Sequence, residues 1–248
     1  TEICKMKIRP VLESCRELGI AVIHAPSPQW AANYPEIVIS AIPIATSFRH
    51  SAQNIAFHEV GRQAIMSDPN WCNGNYINNN KKPEKGLSVA RMLAHITYLS
   101  EEAFQRKFGR NLQNKLSLTY GFKTDFQVES YLKHQGQTFV NRFDANSYLY
   151  ITRAMDYFDL PNQKKGGLKN IYKNTPVKFC VISFTSDWVY PTKYSKEIVD
   201  SLNAVGANVS FVEIQTDKGH DAFLLDEKEF NETVRGFLNS TANIMGVN

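Results

Sequence analysis

The chain has little cysteine, and none of it is paired. Cys4, Cys15, Cys72 and Cys180 form no CxxC spacing, which argues against a zinc ribbon or finger. So sparse a set fits a reduced, cytoplasmic setting, and Cys180, inside an apolar run, reads as a core thiol. No run approaches the ~18 apolar residues of a membrane span. Neither sign of charge dominates: the formal net charge is +4 over 248 residues. The densest basic stretches, Lys81-Lys82 with Lys85 and Lys164-Lys165, sit among Asn, Gly and Pro and read as solvated loops. No nucleic-acid partner is therefore expected. Gly166-Gly167 is too short for a phosphate loop and follows no strand. Internal repeats and low-complexity tracts are absent. The N-terminus, Thr1 to Lys5, has neither a signal-peptide pattern nor an initiator Met, so the chain is expected to begin inside a longer protein.

What is present is an ordinary globular composition, 43% hydrophobic and 21% charged, enough to fill the core of one large domain or a domain with an insert. The order of elements divides it in three. Residues 1–48 alternate helix-like and strand-like pieces: a helix over 9–18 stopped by Gly19, a strand over 20–25, a helix over 29–34 stopped by Pro35, and a buried strand over 37–44. Residues 49–160 show no strand periodicity and predict helices over 51–66, 87–100, 100–108, 126–139 and 145–157. From about 161 the alternation returns, with strands over 177–184 and 209–214 and helices over 192–205 and 227–238. The pattern predicts a mostly parallel α/β core, 1–48 with 161–248, interrupted by a helical lid over 49–160.

Two strand ends carry chemistry. Asp187 follows the first strand of the C-terminal part, in Ser183-Phe184-Thr185-Ser186-Asp187-Trp188. His220 follows the next, in Asp217-Lys218-Gly219-His220-Asp221. Catalytic groups of open α/β sheets gather at the carboxyl ends of strands, and in α/β hydrolases the order is nucleophile, acid, histidine. An acid there would hold the imidazole in one tautomer, and the imidazole would take a proton from an attacking hydroxyl. Taken singly, each residue reads as a cap or a surface loop residue; taken together on successive strand ends, they predict the acid and base of a triad. His50, His58 and His95 share no metal-ligand spacing, and no metal is expected. Trp30, Trp71 and Trp188 read as packing residues, and the aromatic residues between 139 and 158 as lid core.

Several longer segments resemble the homoserine O-acetyltransferase family. These are Gly219-His220-Asp221-Ala222-Phe223-Leu224, Ala41-Ile42-Pro43-Ile44-Ala45-Thr46-Ser47, Ser51-Ala52-Gln53-Asn54-Ile55-Ala56-Phe57, Ser67-Asp68-Pro69-Asn70-Trp71, Gly86-Leu87 with Ala90-Arg91-Met92, His95 to Ser100, and Phe139 to Tyr148. The resemblance runs from about Gln29 to Leu238. It implies an α/β-hydrolase fold, and acyl transfer from acetyl-CoA to the hydroxyl of L-homoserine, a step of methionine biosynthesis, through an acyl-serine intermediate. It implies no cofactor beyond the acyl-CoA co-substrate, for which succinyl-CoA is the rival donor, and a homodimer joined through the lid. By the same resemblance Asp187 and His220 are the triad acid and base, Arg91 binds the homoserine carboxylate, Tyr98 lines that pocket and Asp221 pairs with the ammonium. Guanidinium–carboxylate pairing gives a physical reason for arginine at that place. Arg91 and Tyr98 are seven residues apart, about two helical turns, and so share a face.

One feature of that family is missing. The serine elbow should precede the helix at Gln29, yet the chain reads Ile23-His24-Ala25-Pro26-Ser27-Pro28-Gln29. Ser27 has no flanking glycine to permit a tight, strained turn, and Pro28 has no N–H to donate to an oxyanion. Ser27 is therefore a poor nucleophile, the sheet is expected to lack its early strands, and transfer activity is expected to be impaired. A non-catalytic α/β-hydrolase-like binding protein is the alternative of a different class, and a carboxylesterase a third reading.

Overall fold

The computed structural model describes residues 20–23, 27–163, 165–244 and 246. The helix expected over 9–18 lies outside the described residues. Four parallel strands form the described sheet: β1 (Ile20–Ile23), β2 (Val38–Ile42), β3 (Lys178–Phe184) and β4 (Val209–Ile214), in the order β1-β2-β3-β4. Helix α1 (Ser27–Asn33) joins β1 to β2. Between β2 and β3 come α2 (Ala52–Met66), α3 (Glu84–Tyr98), α4 (Glu101–Lys107), α5 (Gln127–Val140), α6 (Ala145–Tyr157) and the short α7 (Gly167–Ile171). Helix α8 (Thr192–Asn203) links β3 to β4, and α9 (Lys228–Ile244) closes the chain's described part.

β3 is the centre of the sheet, and its side chains alternate between two cores, as the pleat requires. Phe179 and Val181 pack with Ala31, Val38, Ala41, Tyr172, Ile198 and Leu202 on one face. Cys180, Ile182 and Phe184 pack with Ile42, Ile44 and Ile214 on the other, against Phe230, Val234 and Phe237 of α9. Burial on both faces explains why β3 reads as an unbroken apolar run.

The helices over 52–157 have a core of their own, built from Ile65, Tyr76, Leu87, Ala90, Phe139, Val140 and Ala145. Their termini are specified locally. Ser51 caps α2 in a capping box with Asn54, Ser100 caps α4, and Asp144 caps α6. Asp68 accepts from the Asn70 N–H at 3.0 Å and from the Gly86 N–H at 2.9 Å, so one carboxylate caps the start of the Pro69–Gly74 turn and also holds the first turn of α3. Two crossings depend on the absence of a side chain. A Cβ on Gly86 would lie 2.3 Å from the Ala64 carbonyl oxygen, and one on Gly136 would lie 2.2 Å from Ser88 Oγ and 2.9 Å from its carbonyl. Many of the segments quoted above are thus explained by packing and capping of these helices. The isolated bridges Arg49↔Asp159 and Leu112↔Phe126 are the β-pairing in this block among the described residues.

Candidate active site

The carboxyl ends of β2, β3 and β4 face the helical block. Reciprocal contacts tie the β3 and β4 loops together. Thr185 Oγ1 donates to the Thr216 carbonyl, and the Thr216 N–H donates back to Thr185 Oγ1, each at 3.1 Å. The Gly219 N–H donates to Ser186 Oγ at 2.9 Å. These contacts bring Asp187 and His220 together although 33 residues separate them: Asp187 Oδ2 lies 2.8 Å from His220 Nδ1. The other Asp187 oxygen accepts from the Val189 and Tyr190 N–H groups, both at 2.9 Å. Both side chains are buried, Asp187 fully. A carboxylate held at both oxygens fixes the ring so that Nδ1 carries the proton and Nε2 is free to act as a base.

Side chains from the helical block and from the strand-end loops cover this pair. Tyr98, Tyr190 and Phe223 surround the His220 ring, with centroids at 5.7, 5.3 and 5.5 Å. Ser100 Oγ donates to the Asp217 carbonyl, and Arg106 pairs with the Asp217 carboxylate. Trp188, expected only to pack, sets its edge on Phe57 and also donates from Nε1 to the Leu99 carbonyl at 3.1 Å.

A cavity of about 340 Å³ lies beneath the lid, walled among others by Ala45, Arg91, Tyr98, Phe139, Tyr190 and His220. Arg91 sits with its guanidinium carbon 4.9 Å from the Phe139 ring centroid and 5.7 Å from that of Tyr98. Its Nε is buried with no hydrogen-bond partner, whereas buried donors are ordinarily paired. Burial raises the Tyr98 pKa against the pull of Arg91, so the phenol stays protonated. Asp221 does not line this cavity. It is half-buried in the Gly219 loop, close enough to feel His220 and Arg91, and burial outweighs their pull to raise its pKa.

Ser27 begins α1 and is fully buried. The neighbouring Pro28 carbonyl accepts from Tyr172 Oη at 2.8 Å. Ser27 is not on the cavity wall, and among the described residues that wall carries no serine.

A second cluster escaped the sequence reading. His50 and His58, set aside because their spacing fits no metal site, are joined by Asp156 from α6. The potential ligand atoms of the three lie within 4.8 Å of one another. Asp156 already has close partners. Arg62 Nη1 lies 2.6 Å from Asp156 Oδ2, and His58 Nδ1 lies 2.7 Å from Oδ1. Burial opposes ionisation of Asp156, but these two partners outweigh it and lower its pKa. The His58–Arg62 spacing of four residues on one helix was a readable signal; the partnership with Asp156, about a hundred residues away, was not.

The parallel sheet, the helical block over its strand ends and the acid–histidine pair define an α/β-hydrolase-fold protein. A solved structure of homoserine O-acetyltransferase from Bacillus anthracis superposes with a TM-score of 0.81 at 24% identity, covering 93% of this chain and 64% of that one. No family model matches the sequence. Its similarity to individual proteins is high. It is 64% identical over 219 residues to homoserine O-acetyltransferases of Mesorhizobium japonicum and of Rhodospirillum rubrum, covering 88% of this chain and 56% of each. Over most of its length the chain is thus similar to homoserine O-acetyltransferases. It spans about half the length of the curated relatives it matches. No helix among the described residues is long and apolar enough to cross a membrane.

Proposed function

We propose that this chain carries the acid, the base and the amino-acid pocket of a homoserine O-acetyltransferase. The observation that carries the reading is the 2.8 Å Asp187–His220 pair, with His220 on the wall of a cavity that also holds the half-buried Arg91. In the full reaction His220 Nε2 removes the proton of a serine hydroxyl as it attacks the acetyl carbonyl of acetyl-CoA, and returns that proton to the departing CoA thiolate. It then removes the proton of the homoserine hydroxyl as that oxygen attacks the acyl-serine carbonyl, and returns it to the serine oxygen as the acyl-serine bond breaks. Asp187 holds the imidazolium formed in each half. Arg91 binds the substrate carboxylate, Tyr98 packs beside it, and Asp221 supplies negative charge for the ammonium. We assign the donor as acetyl-CoA, with no bound cofactor, the setting as cytoplasmic and the pathway as methionine biosynthesis. A homodimer contact is placed on the helical block, where Leu116, Tyr120 and Phe122 are fully exposed.

Among the described residues the cavity wall carries no serine, and binding and turnover are therefore measured separately. Calorimetry should detect L-homoserine binding that Arg91→Ala weakens by about tenfold or more, the loss of a charge-assisted pair, and that Ser27→Ala leaves unchanged. CoA release from acetyl-CoA with homoserine should not exceed that of Ser27→Ala. Absence of homoserine binding would overturn the pocket assignment, and turnover abolished by Ser27→Ala would make Ser27 a nucleophile after all.

A further inference from the structure

Behind Tyr190, which lines the cavity, runs a second acid–histidine–hydroxyl set that the reaction above does not use. Tyr190 Oη lies 2.8 Å from His50 Nε2. His50 Nδ1 lies 3.6 Å from Asp156 Oδ1, an electrostatic contact rather than a hydrogen bond. Asp156 is anchored to α2 by His58 and Arg62, and Arg62 is itself held by Glu59 Oε2 at 3.1 and 2.9 Å. The side chains of His50, Arg62 and Asp156 are 8%, 3% and 4% exposed, so each depends on its partners rather than on water.

Tyr190 connects this set to the catalytic pair. Its N–H donates to Asp187 Oδ1 and its ring packs beside His220. The segment from Asp187 to Pro191 lies between β3 and α8 and has no helical or strand ladder of its own. Besides the Asp187–His220 pair, the helical block anchors it at three points: Tyr190 Oη to His50, the Val189 carbonyl to Asn54 Nδ2 at 3.0 Å, and Trp188 Nε1 to the Leu99 carbonyl. Burial, with His58 adding to it, lowers the His50 pKa against the pull of Asp156. The ring therefore stays neutral and Nε2 can accept from the phenol, with the Nδ1 proton turned toward Asp156.

We propose that Tyr190, held by His50 and Asp156, is a positioning residue that couples the packing of the lid to the Asp187–His220 pair. Without the phenol contact the two amides that hold Asp187 Oδ1 lose one of their supports, and the acid is free to rotate away from Nδ1. The inference rests on the proposed function only in treating Asp187–His220 as catalytic; the strut itself is a matter of geometry.

The test is proton NMR of the whole chain labelled with 15N-histidine, following the low-field Nδ1 proton of His220, assigned by its loss in Asp187→Asn. Tyr190→Phe keeps the ring and the backbone and removes only the hydroxyl. It should speed solvent exchange of that proton about fivefold, the equivalent of one net hydrogen bond. His50→Ala should match it, and His50→Gln, whose amide oxygen can accept from the phenol, should restore part of the protection. Tyr150→Ala, on the exposed face of α6, should change nothing. If Tyr190→Phe lowers the melting temperature but leaves exchange unaltered, Tyr190 is a packing residue and the proposal fails. It also fails if stoichiometric Zn²⁺ shifts the His50 and His58 signals, because the cluster would then be a metal site. Homoserine binding is not part of this readout, so a failure of the functional reading shows in calorimetry and leaves the NMR result standing.

Discussion

Gly219 occupies a position that no other residue fills without strain. Its φ of +78° and ψ of −154° lie in a region that a Cβ forbids. A Cβ there would also come within 2.6 Å of the Ser100 nitrogen and the Tyr98 carbonyl oxygen. The same turn aims His220 at Asp187 and packs the histidine loop against the end of α3. Gly219→Ala should therefore destabilise the chain by at least about 2 kcal/mol and weaken the His220–Asp187 contact. Thermal melting measures the first effect, and the low-field His220 proton the second. A variant with wild-type stability would mean that the loop is not clamped as described. Asp187 and His220 were legible as a pair because strand ends are readable. Tyr190 was not: its role comes from a hydroxyl that meets a histidine 140 residues away.

The elements were largely legible from hydrophobic period, helped at some helix starts by local caps such as Ser51, Ser100 and Asp144. Of the expected strand over 20–25, the described residues Ile20–Ile23 form β1, and α9 runs on to Ile244, six residues past the expected Leu238. The expected helices of the lid fall within a few residues of those observed. The 3₁₀ turns at Pro69–Gly74, Leu160–Gln163 and His220–Leu224 were missed, since one turn has no periodicity to detect. Glycines within helices separate local propensity from packing. Gly86→Ala should destabilise by about 1–3 kcal/mol through overpacking against the Ala64 and Ile65 backbone. Gly236→Ala on α9, with nothing within 4 Å of its Cβ, should stabilise by about 1 kcal/mol through helix propensity alone. Chemical denaturation of the two variants checks the opposite signs; equal signs would refute the close α2–α3 crossing.

For the molecule as a whole, acid sensitivity is built into the lid. Burial lowers the His95 pKa from 6.5 to about 4, with Arg91, Lys107 and Arg142 adding to the shift. His50 is displaced in the same direction. The unfolded chain takes up a proton on His95 near pH 6.5, and the folded chain only near pH 4. The stability this residue contributes is therefore complete above pH 6.5 and is lost as the pH falls toward 4. Asp156, whose pKa is lowered, adds a loss that begins only as the pH drops into the carboxylate range. Calorimetry from neutral pH down to about pH 4 should show a falling melting temperature, with a shallower slope in His95→Gln. An unchanged slope in that variant would place the titrating group elsewhere.

The sequence by itself determined what depends on neighbours along the chain. It specified the run of strands and helices, the caps at Ser51, Ser100 and Asp144, and the placing of an acid and a histidine just past two strands. Hydrophobic period, capping chemistry and turn residues are local properties and can be read in order. Only the tertiary structure decided which distant groups meet. It put Arg91 on the cavity wall, left Asp221 off that wall, buried Ser27 off it as well, and set His50 and Asp156 behind Tyr190. A hydrogen bond is made or lost within about half an ångström, and spacing in sequence does not fix distance at that scale once helices from separate parts of the chain cross.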